Sequence, residues 1–264
     1  MQPGSRELWS VFSEHLSWLF GAAPRLQVAR ERNWWAVFTK EPHTDLNQSA
    51  LLPGGSLMDA TRLADLINEL EIPAVVSVAS GTDQKVTQPF ASAGLAAAPL
   101  QEPLMWLDEP PAATSSEFEV RRVTGEAELD TACRLCADGH SIDEGLVRRV
   151  LRRELAETET VSTWIAWDAD QPVSVVWLSI GTRIGVWEMM TPPQHRRRGA
   201  ARAVLTTALQ QTWTPQTEGA FLWASPAGRP LYESLGFQTV DEPIIWYTVG
   251  HESAAAAIGQ VADR

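Results

Sequence analysis

The sequence predicts two tandem domains of the α/β class (α+β with mixed sheets), each a twisted mixed β-sheet flanked by helices. Three observations support this prediction. Strand and helix patterns alternate in the second half, a proline-rich linker divides the chain, and the ends of the two halves resemble each other. The length of 264 residues is sufficient for two domain-sized units.

The linker candidate is the segment 108–116, DEPPAATSS, which combines a Pro-Pro pair with small polar residues and lacks apolar periodicity. This linker predicts a first domain over residues 1–115 and a second over residues 116–250, followed by a C-terminal tail over residues 251–264.

The N-terminal segment has apolar residues from Leu8 to Phe20 at helical spacing, interrupted by Glu14 and His15. This pattern predicts an amphipathic helix rather than a secretory signal, and no apolar run approaches the roughly 18 residues of a membrane span. We therefore expect a cytoplasmic protein without a membrane partner. The net charge of −12 disfavours nucleic acid as a partner.

The second half alternates strand and helix signals. In order, the patterns predict a strand at 118–123, helices at 126–137 and 143–157, strands at 161–168, 173–180 and 185–191, a helix at 199–213, a strand at 220–224, a short helix at 226–234 and a closing strand or pair of strands at 238–249.

The two halves have similar C-terminal segments, 89–107 and 231–247. Each reads as a helical turn, a glycine, a strand-like run, a Glu-Pro pair, two apolar residues and a tryptophan. Gly94 aligns with Gly236, and the Glu-Pro pair at Glu102 aligns with that at Glu242. This similarity indicates an internal duplication.

The two cysteines, Cys133 and Cys136, share one helical face with apolar neighbours. A zinc site would need two further ligands, and we expect no nearby His or Cys to provide them. We interpret both cysteines as small core residues and expect no metal.

The sharpest local feature is an arginine cluster, Arg196 to Arg198, between a predicted strand and a predicted helix. The N-terminus of a helix carries partial positive charge, so three arginines there call for an anion among them. The small residues Gly199, Ala200 and Ala201 let a ligand approach the backbone N–H groups. The pattern favours a phosphate or pyrophosphate site at 196–202; a solvated basic turn is the alternative.

The run PPQHRRRGAARAVL resembles the acyl-coenzyme-A signature of the GCN5-related N-acetyltransferase (GNAT) superfamily, through Arg196, Gly199 and Ala201. About thirty residues later, PLYESLGF at 230–237 resembles the second signature of that family. The resemblance extends over roughly residues 117–247.

The resemblance implies that acetyl-CoA is the cosubstrate and that its acetyl group is transferred directly to a primary amine of an unknown acceptor. Tyr232 corresponds to the family's general acid, and Glu188 is the candidate general base. Strand alternation and a bulge usual at this position leave the direction of Glu188 open, so an exposed or structural role is the alternative. The residues expected to contact the coenzyme are Met189, Met190, Thr191, Arg196, Arg197, Arg198, Gly199, Ala200, Ala201, Arg202 and Ser225.

The first half resembles a degenerate copy of the same fold. Phe90 stands where Tyr232 would be, and the loop at 53–57 has glycines but no arginine cluster. We expect this half to be structural or to shape the acceptor site, which relatives build partly from the loop around His140. The alternative for the whole chain is a non-catalytic acyl-CoA-binding or protein-interaction module. The oligomeric state stays open.

Overall fold

The computed structural model describes residues 2–98, 100–113, 115–140, 142–151 and 159–249. The first half of the chain contains helix α1 (Ser5–Leu19), strands β1 (Gln27–Arg30), β2 (Trp34–Phe38) and β3 (Asn47–Leu51), helix α2 (Leu57–Asn68), strand β4 (Val75–Val78), helix α3 (Gln88–Ser92) and strands β5 (Leu95–Ala98) and β6 (Leu104–Leu107).

The second half begins after the linker. It contains strand β7 (Glu119–Arg122), helices α4 (Glu126–His140) and α5 (Glu144–Leu151), strands β8 (Val161–Asp168), β9 (Gln171–Ile180) and β10 (Arg183–Met190), helix α6 (Ala200–Thr212), strand β11 (Gly219–Trp223), helix α7 (Arg229–Ser234) and strands β12 (Gln238–Asp241) and β13 (Ile244–Thr248).

The predicted element order of the second half is confirmed, with bounds that shift by a few residues. The closing segment is a pair of strands, β12 and β13. The predicted helix at 143–157 is described only as far as Leu151, and residues 152–158 and the tail 251–264 lie outside the described residues. The predicted fold class is confirmed, since both sheets combine parallel and antiparallel pairs and are flanked by helices.

The two halves exchange their last strands. One sheet has the order β1-β2-β3-β4-β13-β5, and the other has the order β12-β6-β11-β10-β9-β8-β7. Strand β13 runs antiparallel to both β4 and β5, and β6 runs antiparallel to both β11 and β12. The segments proposed as domains, 1–115 and 116–250, therefore do not each build a sheet alone.

The resemblance between the two halves has a structural counterpart. Helices α3 and α7 are each followed by a glycine with positive φ, 77° at Gly94 and 96° at Gly236. A short strand follows each glycine, and a Glu-Pro pair then leads into the exchanged strand. Glycine is required at both turns because other residues strain at such φ values. The aligned segments thus have the same order of elements.

Helix α1 belongs to the first half in sequence but also packs on the second sheet. Its apolar stripe is buried, and the ring of Phe12 lies 4.7 Å from that of Trp187 on β10. The Trp9 indole N–H donates to buried Asp241 at 2.7 Å, and Ser5 donates to the same carboxylate oxygen. Because Asp241 ends β12 just before the chain crosses to β13, α1 fixes one of the two crossovers.

The strand exchange predicts that neither half folds alone. Cutting the chain within the linker gives fragments 1–112 and 113–264, each with an interior strand missing from its sheet and the neighbouring backbone groups unpaired. We expect the two fragments to co-purify when co-expressed with a tag on one of them. Each fragment alone is expected to lack a cooperative thermal transition by circular dichroism. A cooperative transition for either isolated fragment would contradict the prediction.

Buried His15 on α1 predicts a loss of stability in mild acid. Burial lowers the pKa of His15 from 6.5 to about 4, and its Nδ1 lies 2.7 Å from Ser179 Oγ. The unfolded chain therefore binds more protons between these two values, so the free energy of unfolding falls as the pH drops through this window, by up to about 3 kcal/mol. Denaturant titrations at pH 7 and pH 4.5 measure this loss. His15→Asn should flatten this part of the pH dependence, and an unchanged dependence would contradict the assignment.

Candidate active site

A β-bulge in β10 sets the direction of Glu188. Trp187 is opposite Trp177 on β9, but the next pair joins Met190 to Val175, so β10 holds one extra residue. Glu188 has a φ of 45° within this bulge. Ile184 and Val186 face α6, and simple alternation would turn Glu188 to the same face. The bulge turns it to the opposite face, against α4.

Three polar side chains converge at this bulge. Glu188 Oε2 lies 2.9 Å from Nε2 of His140 and accepts a hydrogen bond from the Cys136 thiol at 3.4 Å. Cys136 and His140 are four residues apart on α4 and therefore share a helical face. The side chains of His140 and Glu188 are about one-fifth exposed, whereas Cys136 is buried. The cluster is therefore partly exposed through His140 and Glu188.

Burial and charge interactions within the cluster shift the pKa values of all three groups. Burial would raise the pKa of Glu188, but the adjacent His140 outweighs it and lowers that pKa. Burial would likewise lower the pKa of His140, and the Glu188 carboxylate reverses the direction. Burial raises the pKa of the Cys136 thiol well above its ordinary value, and Glu188 adds to the effect. The neutral thiol thus lies beside an ion pair.

The first half contributes polar groups to the same region. The loop before β3 carries His43 and Asp45, and it is tied to α5 by an ion pair of 3.1 Å between Glu41 and Arg149. Burial raises the pKa of Asp45, while the charges of His43, His140 and Glu188 also act on it. No local pattern in the sequence marks Asp45, because its nearness to Glu188 arises only from the packing of the two halves.

The cysteines are buried, as predicted, and neither forms a disulfide. The expectation that no histidine lies near enough for a metal site was wrong. His140 follows Cys136 by one helical turn, and the ligand atoms of Cys136, His140 and Glu188 lie within 4.8 Å of one another. The spacing of four residues between a Cys and a His on a helix was the signal in the sequence.

The N-terminus of α6 presents open backbone donors. Gly199 caps the helix with a φ of 94°. Among the described residues, no side chain caps the helix, and a Cβ atom built on Gly199 would meet nothing within 4 Å. The first N–H groups of a helix have no intrahelical acceptor. The stretch from Gly199 to Arg202 therefore has the donors that an anion requires.

The arginines around this terminus are less available than the sequence suggested. Arg198 donates to Asp168 at 2.8 Å, Arg196 donates to the Thr191 carbonyl at 2.9 Å, and Arg202 donates to Ser234 at 2.6 Å. Arg197 is exposed, with a φ of 64°. The backbone donors, more than the guanidinium groups, form the open anion site.

A gap opens between β10 and β11 beside this terminus. In the residues that the structure describes, the two strands pair only from Arg183 to Gly185 on β10, although β10 continues to Met190. The end of β10 is held by β9 instead, where Ser174 Oγ donates to the Met190 carbonyl at 2.9 Å and lies 2.8 Å from the Thr191 hydroxyl. Met189 packs toward α6, and Met190 packs on α4 at Gly139.

Tyr232 lies on α7 and is buried in the apolar cluster under α6. Its ring is 5.9 Å from that of Phe237, and a Cβ atom at Gly228 would come within 2.9 Å of it. Burial raises the pKa of the Tyr232 phenol above its ordinary value, so the hydroxyl stays protonated. Ser225 Oγ accepts from the Gly228 N–H at 3.2 Å, which closes the turn before α7.

The corresponding places in the first half are filled. Ser56 and Asp59 form a capping box at the start of α2, so a carboxylate of the chain itself occupies that helix N-terminus. Phe90 is fully buried, with its ring 5.9 Å from that of Trp246. The first half therefore has neither an open anion site at α2 nor a phenol at the position of Phe90.

The comparison with protein families matches residues 137–246 to the model of the acetyltransferase (GNAT) domain. No curated protein sequence matches the chain significantly. In the described residues, no helix has both the length and the apolar character needed to span a membrane.

Three solved structures show the same fold over most of the chain. A GCN5-related N-acetyltransferase from Kribbella flavida has a TM-score of 0.65 at 13% identity, covering 90% of this chain and 95% of its own. A GCN5-related N-acetyltransferase from Sphaerobacter thermophilus has a TM-score of 0.60 at 12% identity, covering 84% and 77%. A tandem GNAT protein from the clavulanic acid biosynthesis pathway has a TM-score of 0.54 at 11% identity, covering 96% and 97%.

Proposed function

We propose that the second half transfers acetyl from acetyl-CoA directly to a primary amine, on the basis of the match of residues 137–246 to the GNAT acetyltransferase domain and of the fold shared with GNAT structures. One observation carries the proposal. Within the described residues, only the second half joins an open helix N-terminus to a strand gap that has a phenol near one face and a carboxylate on the other. The acceptor's identity is left open.

The α6 terminus would hold the pyrophosphate of the coenzyme. The N–H groups from Gly199 to Arg202 lack a capping side chain, and exposed Arg197 adds positive charge. Main-chain groups from Met189 to Thr191 line the gap in which the pantetheine arm would lie. Ser225 stands at the opposite side, although its hydroxyl is engaged in the turn. When bound, acetyl-CoA supplies the activated thioester carbonyl that the acceptor amine attacks.

Tyr232 is the proposed general acid. Its phenol is protonated at neutral pH because burial raises the pKa. A protonated phenol can act as a general acid, so Tyr232 would protonate the departing thiolate of coenzyme A.

Glu188 is the proposed general base. The bulge directs its carboxylate away from the apolar cluster under α6 and toward α4, where His140 holds it ionised. An ionised carboxylate can accept the proton that the acceptor amine loses on acylation. The partly buried acids Asp45 and Glu188, one from each half, would favour a cationic acceptor, so we infer that the first half shapes the acceptor site.

Ala201 offers a test of the anion site. Ala201→Glu puts a carboxylate in the first turn of α6, where it repels phosphate but suits the helix terminus. We expect acetyl-CoA affinity to fall about tenfold by calorimetric titration, as one added like charge implies. The melting temperature should stay the same or rise. Ala201→Gln is the matched control with a similar volume, and an equal loss of affinity in both variants would contradict the electrostatic explanation.

Tyr232→Phe tests the general acid. Without the hydroxyl, the rate of acetyl transfer should fall by roughly 10² to 10⁴-fold, while acetyl-CoA binding stays nearly unchanged. The chain's other tyrosine, Tyr247 on β13, provides the control, since Tyr247→Phe removes the same atom in the first sheet. Transfer should survive this change.

Two results would count against the proposal. If Tyr232→Phe weakens transfer and binding equally, the hydroxyl is a structural or binding group. If the protein binds acetyl-CoA but transfers nothing to a mixed set of amines, the chain is a non-catalytic acyl-CoA-binding module.

A further inference from the structure

We propose that three side chains, Cys136, His140 and Glu188 (the trio), form a three-ligand site for Zn²⁺. The trio joins two elements: Cys136 and His140 lie one turn apart on α4, and Glu188 reaches them from the bulge of β10.

The distances within the trio suit a tetrahedral metal. Zn–S and Zn–O bonds of about 2.3 and 2.0 Å at a tetrahedral angle place sulfur and oxygen about 3.5 Å apart. Cys136 Sγ and Glu188 Oε2 are 3.4 Å apart. His140 Nε2 and the same oxygen are 2.9 Å apart, and a metal between them would open this distance by a few tenths of an ångström.

An independent observation concerns His140. Its Nε2 is buried and lies 2.9 Å from Glu188 Oε2 as an ion pair, but its N–H is not aligned for a hydrogen bond to that oxygen. The nitrogen therefore has a charged partner without a well-aligned hydrogen bond, and a metal bound to all three ligand atoms would satisfy it.

The donor set selects the metal. Thiolate, imidazole and carboxylate together favour Zn²⁺ over Mg²⁺ or Ca²⁺, which prefer oxygen ligands. A thiolate and a carboxylate balance the two charges of the ion, so the occupied site is neutral in a poorly solvated place. Three protein ligands with one open position are typical of zinc sites that exchange their fourth ligand.

A consequence for activity rests on the proposed function. A carboxylate bound to Zn²⁺ is not available to accept a proton, so zinc would inhibit acetyl transfer if Glu188 is the base. Metal binding itself is measured without acetyl-CoA or acceptor. Failure of the zinc site and failure of the proposed function are therefore distinguishable.

To test the site, Co²⁺ is titrated into the full chain. A chelator first removes any bound metal, and a reductant keeps the cysteines as thiols. Co²⁺ adopts the same sites as Zn²⁺, and a cobalt–thiolate bond gives a charge-transfer band in the near ultraviolet. We expect this band to saturate at one Co²⁺ per chain and to disappear when Zn²⁺ is added. Cys136→Ser should abolish the band and weaken Zn²⁺ binding by at least about 100-fold.

Cys133→Ser is the matched control, because Cys133 is equally buried on the same helix but is not part of the trio. It should retain the band and the Zn²⁺ affinity. Glu188→Gln keeps the volume and should weaken Zn²⁺ binding even if Cys136→Ser fails to fold. A missing band in the wild-type protein, or a band that persists in Cys136→Ser, would overturn the proposal. Equal loss in folded Cys133→Ser and Cys136→Ser would also overturn it.

Discussion

Each sheet depends on backbone hydrogen bonds that the other half of the chain supplies. Strand β13 lies between β4 and β5, and β6 lies between β11 and β12, so each exchanged strand is paired along both edges. Buried strand edges cannot be left without partners, because unpaired N–H and C=O groups in the interior are costly. The exchange therefore makes one folding unit of two similar halves. Helix α1 reinforces it through Asp241, whose other carboxylate oxygen accepts from the Ser80 N–H, so three segments meet at one buried side chain.

The same arrangement shapes the candidate active site. Strand β11 pairs with β6 along one edge as far as Trp223. Along its other edge, β11 pairs with β10 only as far as Phe221, and the two strands then separate to form the gap. The bulge that directs Glu188 begins after Trp187, and Trp187 packs against Phe12 of α1. Aromatic packing between the halves thus supports the backbone next to the candidate base. Phe12 therefore supports the strand that carries Glu188, although Phe12 itself does not face the site.

The two halves share an element order but differ in polar chemistry. The α2 terminus is closed by Ser56 and Asp59, and the α6 terminus is open, so an anion meets a carboxylate in one half and free donors in the other. At the interface, Asp45 of the first half lies near His140 and Glu188 of the second. Burial raises the pKa of Glu102 to about 8, and Asp45 adds to this effect. The loop before β3 in the first half thus lies beside the candidate site of the second.

Helix α1 and the N-terminus of α6 could be predicted from the sequence alone. Apolar periodicity determined α1, and the glycine with small residues after the arginine cluster marked the α6 terminus, because both depend on contacts within a few residues. Tertiary structure decided three matters. Strand exchange involves pairs more than 110 residues apart, which no local pattern encodes. The direction of Glu188 depends on one extra residue in β10, since a shift of one residue reverses the face of a strand. The meeting of Cys136, His140 and Glu188 follows from that reversal, which is why the helical pair alone did not reveal a possible metal site.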